Sequence, residues 1–257
     1  MGFLEDIVEA THAEVARRRA EHPIEELAEG LEPPGRGRPF SEALIAPGVS
    51  LIAEMKRASP SRGPIRPGAS VTEIVRAYED GGASACSILT EPQFFGGSLD
   101  DLREARAATS LPLLCKDFIV DEYQLVEARI AGADAALLIV AATGRELLLD
   151  LLHFGHELGL DLLVEVHDED DVEIAVEAGA EIVGINNRNL KTLEVDPDTV
   201  LRLLSDIPAG TVVVAESGIS DPAEVRRLEE AGVDAILVGE ALMSSPDPAQ
   251  AARALLG

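Results

Sequence analysis

From about residue 50 onward, short apolar runs alternate with longer segments whose apolar residues recur at helical spacing. Eight of these runs, residues 51–56, 84–90, 111–116, 134–140, 161–166, 181–186, 211–216 and 234–239, read as strands. None alternates strictly between apolar and polar; continuous runs are what parallel strands covered on both faces require. Helix-start signals lie between them. Ser70-x-x-Glu73, Asp121-x-x-Gln124, Thr143-x-x-Glu146 and Asp221-Pro222-x-Glu224 predict capping boxes, and Asp196-Pro197 predicts a proline at a first helical position. A glycine, a small residue and usually an acid recur at Gly82-Ala83-Ser84, Gly132-Ala133-Asp134, Gly179-Ala180-Glu181 and Gly232-Val233-Asp234. These glycines are 50, 47 and 53 residues apart, about two strand–helix units, so the chain reads as four similar quarters. Eight units in one domain predict an α/β fold, a single (β/α)8 TIM barrel over residues 49–257. A doubly wound open sheet would want fewer strands and a Gly-rich turn after the first one, which is lacking.

Residues 1–48 form an N-terminal helical extension that packs on the barrel, with Phe3, Leu4, Ile7, Val8 and Val15 as its apolar stripe. The extension either closes the barrel bottom or covers its mouth. Residues 33–39 read as a mobile Pro/Gly/Arg connector, and Arg17-Arg18-Arg19 reads as a solvated helix face.

Composition narrows the function. The 257 residues carry 21 basic and 47 acidic side chains, a formal net charge of −26, which argues against nucleic-acid binding. With 46% hydrophobic residues the chain can bury a full core. Of the 21 cations only three are lysines, Lys56, Lys116 and Lys191. Such an acid-rich, lysine-poor balance points to a halophilic protein, since charge repulsion is screened over about 3 Å at 1 M salt. Cys86 and Cys115 sit in apolar runs without metal or disulfide spacing, no apolar stretch approaches a membrane span, and the opening MGFLEDIVEA is not a secretory signal. The expectation is a cytoplasmic protein with no membrane and no metal.

In such a barrel the chemistry lies at the C-terminal strand ends. There the sequence places Glu54-Met55-Lys56, Lys116-Asp117-Phe118, Glu165, Asn186-Asn187-Arg188 and Glu216-Ser217-Gly218, so two of the three lysines converge on the mouth. A lysine serves as proton donor, Schiff-base nucleophile or anion clamp. Glu54 and Lys56, two apart on one strand, can pair; that arrangement suits an acid or clamp better than an amine nucleophile. Gly218 and Gly239-Glu240, after the last two strands, fit a phosphate site built from backbone N–H groups. Phe94, Phe95 and Phe118 either pack the loops or wall a planar ring, and His167 either lines the mouth or starts a helix. His153 and His156 share a helix face without an acidic ligand pattern, and a surface or core role is favoured over metal binding.

Together these residues resemble the indole-3-glycerol phosphate synthase family. The likeness runs through residues 54–61, 114–119, 163–167, 184–190 and 215–219, and spans essentially the whole chain, extension included. It implies ring closure of 1-(2-carboxyphenylamino)-1-deoxyribulose 5-phosphate with loss of carbon dioxide and water, in tryptophan biosynthesis, without a cofactor. It further implies Lys116 as general acid at the ribulose carbonyl and Glu165 as base or acid partner in dehydration. Lys56, held by Glu54, would contact the substrate carboxylate, with donation of the later proton left open between the two lysines; Asn186 and Ser217 would orient hydroxyl and amine groups. Ser59, Arg188, Gly218, Gly239 and Glu240 would bind phosphate, and Phe95 and Phe118 would flank the ring. Some family members carry serine where this chain has Glu240, so only the backbone N–H of residue 240 is expected to serve, with its side chain turned to solvent. A monomer is expected, with association with other tryptophan-pathway enzymes left open. The rivals are phosphoribosylanthranilate isomerase, which would need a Cys/Asp pair where Glu54 and Glu165 stand, a Schiff-base aldolase, and a non-catalytic phosphate-sensing barrel.

Overall fold

The computed structural model describes residues 2–31, 39–190 and 192–257. Eight parallel strands close into a barrel: β1 (Ser50–Met55), β2 (Ala85–Leu89), β3 (Leu113–Lys116), β4 (Ala135–Ile139), β5 (Asp161–Val166), β6 (Ile182–Asn186), β7 (Val212–Glu216) and β8 (Ala235–Val238). Each pairs with its sequence neighbours, and β1 closes on β8 through registers such as Ile52 opposite Leu237. All eight predicted runs are strands, with some ends shifted by a residue or two.

The alternation along each strand sets up the site. Leu51, Ala53, Cys86, Val164 and Val183 face outward into a core shared with the helices. Ile52, Leu114, Leu163, Ile182 and Val214 face inward and fill the barrel. Two residues on, the same inward phase reaches Glu54, Lys116, Glu165, Gly184 and Glu216. The lower barrel is therefore apolar, and the next layer is charged.

Helix α1 (Phe3–Glu21) starts at the mouth, where Phe3 meets Phe94 edge-on at 5.8 Å. Its Leu4 and Ile7 join the inner apolar cluster. The short helix α2 (Ile24–Ala28) follows it, and α3 (Phe40–Leu44) lies at the opposite end of the barrel. There Phe40 and Leu44 join the same inner cluster, and Ser41 N–H donates to Asp161 Oδ2 at 2.8 Å. The extension thus touches both barrel ends. The connector at residues 33–38 and Lys191 lie outside the described residues. Arg17, Arg18 and Arg19 pair with Glu14 and Glu21, with Glu127, and with Asp121 respectively.

The quarter pattern has a structural cause. Gly232 ends its helix at φ 97°, a left-handed conformation that disfavours a side chain. Two residues later Asp234 Oδ2 accepts the N–H of Val213 at 2.8 Å, tying β8 to β7; Asp134 does the same for Leu113 at 3.0 Å. Ser70, Asp121 and Asp221 cap their helices, accepting from Glu73, Tyr123 and Ala223 N–H. Gln124, however, reaches Val120 N–H rather than that of its cap residue. Two helix-start expectations are corrected. Thr143 is not a cap: a helical turn already begins at Val140, the chain kinks at Gly144 (φ 67°), and the Thr143 hydroxyl donates to Ile139 O. The Asp196-Pro197 helix starts later, at Thr199, because Asp196 Oδ1 accepts the N–H of Asp198 in a preceding turn. Among the described residues no helix is long and apolar enough to cross a membrane.

Candidate active site

The charged layer opens into a cavity of ≈310 Å³ at the C-terminal ends of the strands. From β1, Glu54 and Lys56 pair at 2.7 Å, and the Tyr78 hydroxyl donates to Glu54 O at 3.0 Å, fixing the strand end. Gly239 leaves room for that pair: a Cβ there would lie 2.5 Å from Glu54 Oε1 and 3.1 Å from Lys56 Cε.

Lys116 from β3 lies between two buried carboxylates, with its Nζ 2.8 Å from Glu165 Oε2 and 2.8 Å from Glu216 Oε2. Barrel closure brings these three together across 49 and 100 residues of sequence. Burial by itself would lower the Lys116 pKa, but the Glu165, Glu216 and Glu54 charges outweigh it and hold the ammonium above its ordinary value. Burial would raise Glu165, yet Lys116 and His167 outweigh it and hold this carboxyl well below the usual range. For Glu216 burial prevails: Lys116 opposes it, Glu165 adds to it, and the carboxyl is pushed up. Two neighbouring carboxylates thus have their proton affinities split in opposite directions. Among the described residues Glu216 Oε1 has no hydrogen-bond partner, and a Cβ at Gly184 would collide with it.

Behind Glu165, Asn186 Nδ2 donates to its Oε1 at 3.0 Å. His167 Nε2 lies 3.2 Å from the same oxygen, and His167 Nδ1 lies 3.4 Å from Asp171 Oδ2. After β7 the chain turns through Ser217 (φ 64°) and Gly218 (φ 81°). The left-handed Ser217 is held by Asn187 Nδ2, which donates to Ser217 O at 3.1 Å.

One wall is aromatic. Phe95 and Phe118 face each other with centroids 6.1 Å apart and planes tilted by 35°. Glu91 organises the loop that carries Phe95, accepting N–H groups of Gln93, Phe94 and Phe95 at 2.8, 2.6 and 2.9 Å. Asp117 accepts the Thr90 hydroxyl at 2.7 Å and Phe118 N–H at 2.8 Å, setting the other ring. A small hairpin at Ala58–Ser59 and Gly63–Pro64 also borders the cavity, and in it Ser59 Oγ accepts Arg62 N–H at 3.3 Å. Arg188 lines the cavity with its guanidinium donating to Leu193 O at 3.0 Å. The Glu240 carboxylate does not simply turn to solvent: its Oε1 lies 3.3 Å from Arg62 Nε at the rim.

Every residue proposed from sequence, Glu54, Lys56, Ser59, Phe95, Lys116, Phe118, Glu165, Asn186, Arg188, Ser217, Gly218, Gly239 and Glu240, lines this one cavity. Sequence reasoning missed Glu216 as a participant, treating it as the end of a turn motif. Its signal was there: an acid closing the run Val212–Glu216 in the inward phase of Val214, as Glu165 closes the phase of Leu163. Arg62 carried no local signal, because its partner Glu240 comes from the far end of the chain, whereas Glu91 bonds N–H groups only two to four residues on.

The barrel is similar to that of 3-hexulose-6-phosphate synthase from Salmonella typhimurium, with a TM-score of 0.66, 17% identity, and 80% of this chain and 96% of that one covered. Thiamine phosphate pyrophosphorylase from Pyrococcus furiosus is similar at a TM-score of 0.62 and 19% identity, covering 80% and 93%. At these identities the likeness concerns the fold alone. Sequence relationship is far closer elsewhere. Indole-3-glycerol phosphate synthase 2 of Streptomyces coelicolor is 47% identical over 259 residues, covering 100% of this chain and 99% of the relative. The Mycolicibacterium vanbaalenii indole-3-glycerol phosphate synthase is 48% identical over 248 residues, covering 96% and 91%. The family model for indole-3-glycerol phosphate synthase matches residues 4–255, extension and barrel alike. With a match of that extent, the chain belongs to the indole-3-glycerol phosphate synthase family.

Proposed function

We propose that the chain is a carboxy-lyase that closes 1-(2-carboxyphenylamino)-1-deoxyribulose 5-phosphate to indole-3-glycerol phosphate, with the roles divided as follows. The anthranilate ring lies between Phe95 and Phe118, and its carboxylate meets Lys56, which Glu54 orients. The phosphate occupies the other end, against Ser59, Arg188 and the N–H groups of Gly218, Gly239 and Glu240. Lys116 gives its proton to the ribulose carbonyl as the ring carbon attacks. Carbon dioxide then leaves. In dehydration Glu165, which takes up a proton from outside the cavity once Lys116 has given up its own, protonates the departing hydroxyl, and Glu216 takes the proton removed from substrate and returns it to Lys116. Asn186 and Ser217 orient the hydroxyl and amine groups.

The observation that carries this reading is Lys116 held as an ammonium between Glu165 and Glu216, beside the Lys56–Glu54 pair. The same geometry speaks against a Schiff-base aldolase, whose lysine must attack as a free amine. The test is the appearance of indole fluorescence when the carboxyphenylamino-deoxyribulose phosphate is added to the folded protein in high salt. Silence would defeat the reading.

The reading also places the enzyme in the cytoplasm as a monomer, in keeping with two buried free cysteines, Cys86 and Cys115. Its net charge of −26 supports a halophilic habitat. Repulsion among surface carboxylates reaches about 10 Å at 0.1 M salt but only about 3 Å at 1 M. The urea midpoint of unfolding is therefore expected to rise steadily from ~0.1 M to ~2 M KCl. A midpoint already maximal in dilute buffer would contradict this.

A further inference from the structure

We propose that His167 is the proton port of the site, passing a proton from solvent in an outer polar cavity to Glu165 once in every turnover. The inference rests on the reaction proposed above and adds a residue to which that reaction, as described, gives no task.

The need for a port follows from stoichiometry. The substrate carboxylate is ionised and leaves as neutral carbon dioxide, while the hydroxyl leaves as water. Ionised substrate plus one proton therefore gives indole product, carbon dioxide and water. Protons go to the ribulose carbonyl and to the leaving hydroxyl, and one is recovered from the substrate. One must therefore enter from outside in every turnover.

The geometry supplies one route. Glu165 lines the reaction cavity, whereas His167 lines a second, polar cavity behind it. Asn186 lines both and forms the partition. The outer cavity is also bounded by Asn187, Glu194, Asp196 and Arg202. The His167 side chain is only 9% exposed and stands in the partition, with Nε2 3.2 Å from Glu165 Oε1 and Nδ1 3.4 Å from Asp171 Oδ2. Neither nitrogen makes an aligned hydrogen bond. Asp171 is itself fixed, its Oδ2 accepting His167 N–H at 3.0 Å. The charged groups facing His167 are thus Glu165 from β5 and Asp171 from the following helix; beyond Glu165 stands Lys116, and beyond Lys116 stands Glu216.

The order of events follows from these contacts. Burial would lower the imidazole pKa, but Asp171 and Glu165 outweigh it and push it up to about 9, so the resting ring is an imidazolium. While Lys116 is charged, Glu165 has little affinity for a proton. Once Lys116 has protonated the carbonyl, that restraint is gone. The Nε2–H bond then breaks, its electron pair stays on nitrogen, and the proton moves to Glu165 Oε1. Glu165 holds it for the departing hydroxyl. The neutral imidazole recovers a proton from solvent in the outer cavity.

The test uses His167→Gln and His167→Ala. Glutamine can still donate a hydrogen bond to Glu165 but has no proton acidic enough to transfer, so kcat is expected to fall at least ~10-fold, with KM within about twofold of wild type and an unchanged melting temperature. The alanine variant opens the partition, and millimolar imidazole is expected to restore its kcat in a saturable, pH-dependent way. Three results would overturn the proposal: turnover of His167→Gln within twofold of wild type, losses in both variants that imidazole leaves untouched, or losses that follow melting temperature. Absence of turnover in the wild-type enzyme is a different failure, since it removes the proposed reaction itself.

Discussion

Replacing Lys116 by methionine is expected to lower kcat by ~10²–10⁴-fold, the range contributed by a positioned acid–base group. KM should change little, since Lys56, the aromatic wall and the phosphate end do not depend on this side chain. Methionine preserves most of the volume, so the loss reports on the ammonium. The electrostatic consequence is separable from the chemical one. Lys116 is the shared partner of Glu165 and Glu216, at 2.8 Å from each, and both carboxylates are 2% exposed. Removing one member of a buried pair generally costs ~3–5 kcal/mol, because a charge is left uncompensated. Here burial and the Glu165 charge already raise Glu216, so proton uptake absorbs part of that cost. Lys116→Met should therefore fold, with stability that falls as pH rises through the range where the two glutamates ionise. Steady-state turnover and a melting curve at several pH values check both statements. A variant with near-normal kcat would remove Lys116 from the mechanism.

Glu216→Gln should follow in size, with kcat lowered by ~10²-fold. This effect follows from the split between two neighbouring carboxylates. Glu165 is kept ionised by Lys116 and His167, whereas burial and the Glu165 charge raise Glu216. The raised group is the one able to exchange protons near neutral pH. Its working form is the carboxylate, so wild-type kcat should fall as pH drops through the raised Glu216 pKa. The glutamine variant should lack this inflection and run flat at its lower level. Because the substitution also removes repulsion between Glu216 and Glu165, its melting temperature should not decrease. Gly184→Ala offers an independent approach to the same oxygen, since its Cβ would displace Glu216 Oε1. It too should lower kcat while leaving Lys116 and Glu165 paired. An acid limb retained in Glu216→Gln would contradict the assignment.

These two residues show what a sequence reveals of such a site. The eight strands were legible because buried parallel strands are continuous apolar runs, and their polar ends mark the mouth. Lys116 stood out because lysine is rare in this chain, and the Glu54–Lys56 pair because two-residue spacing keeps both on one face of a strand. Partnership across the barrel was not legible. Glu216 meets Lys116 only because closure aligns the inward phases of β3 and β7, and no local pattern encodes that. Glu240 illustrates the same limit, since its carboxylate meets Arg62 from a hairpin nearly the whole barrel away in sequence. The two misplaced helix starts have a local cause: the side chains of Thr143 and Asp196 bond a carbonyl and a turn N–H rather than capping a helix. Helix α1 posed a further difficulty. Its stripe announces burial, but only the folded chain sets Phe3 beside the aromatic wall while Phe40 and Leu44 reach the opposite barrel end.

The central claim is that one cavity couples ring closure to loss of carbon dioxide through Lys116. The direct measurement adds the carboxyphenylamino-deoxyribulose phosphate to purified protein in high salt and follows indole formation and carbon dioxide release in the same sample. The account predicts equal amounts of both from the wild-type chain, and both suppressed together in Lys116→Met. Folded wild-type protein that forms neither product, or that releases carbon dioxide without indole, would contradict it.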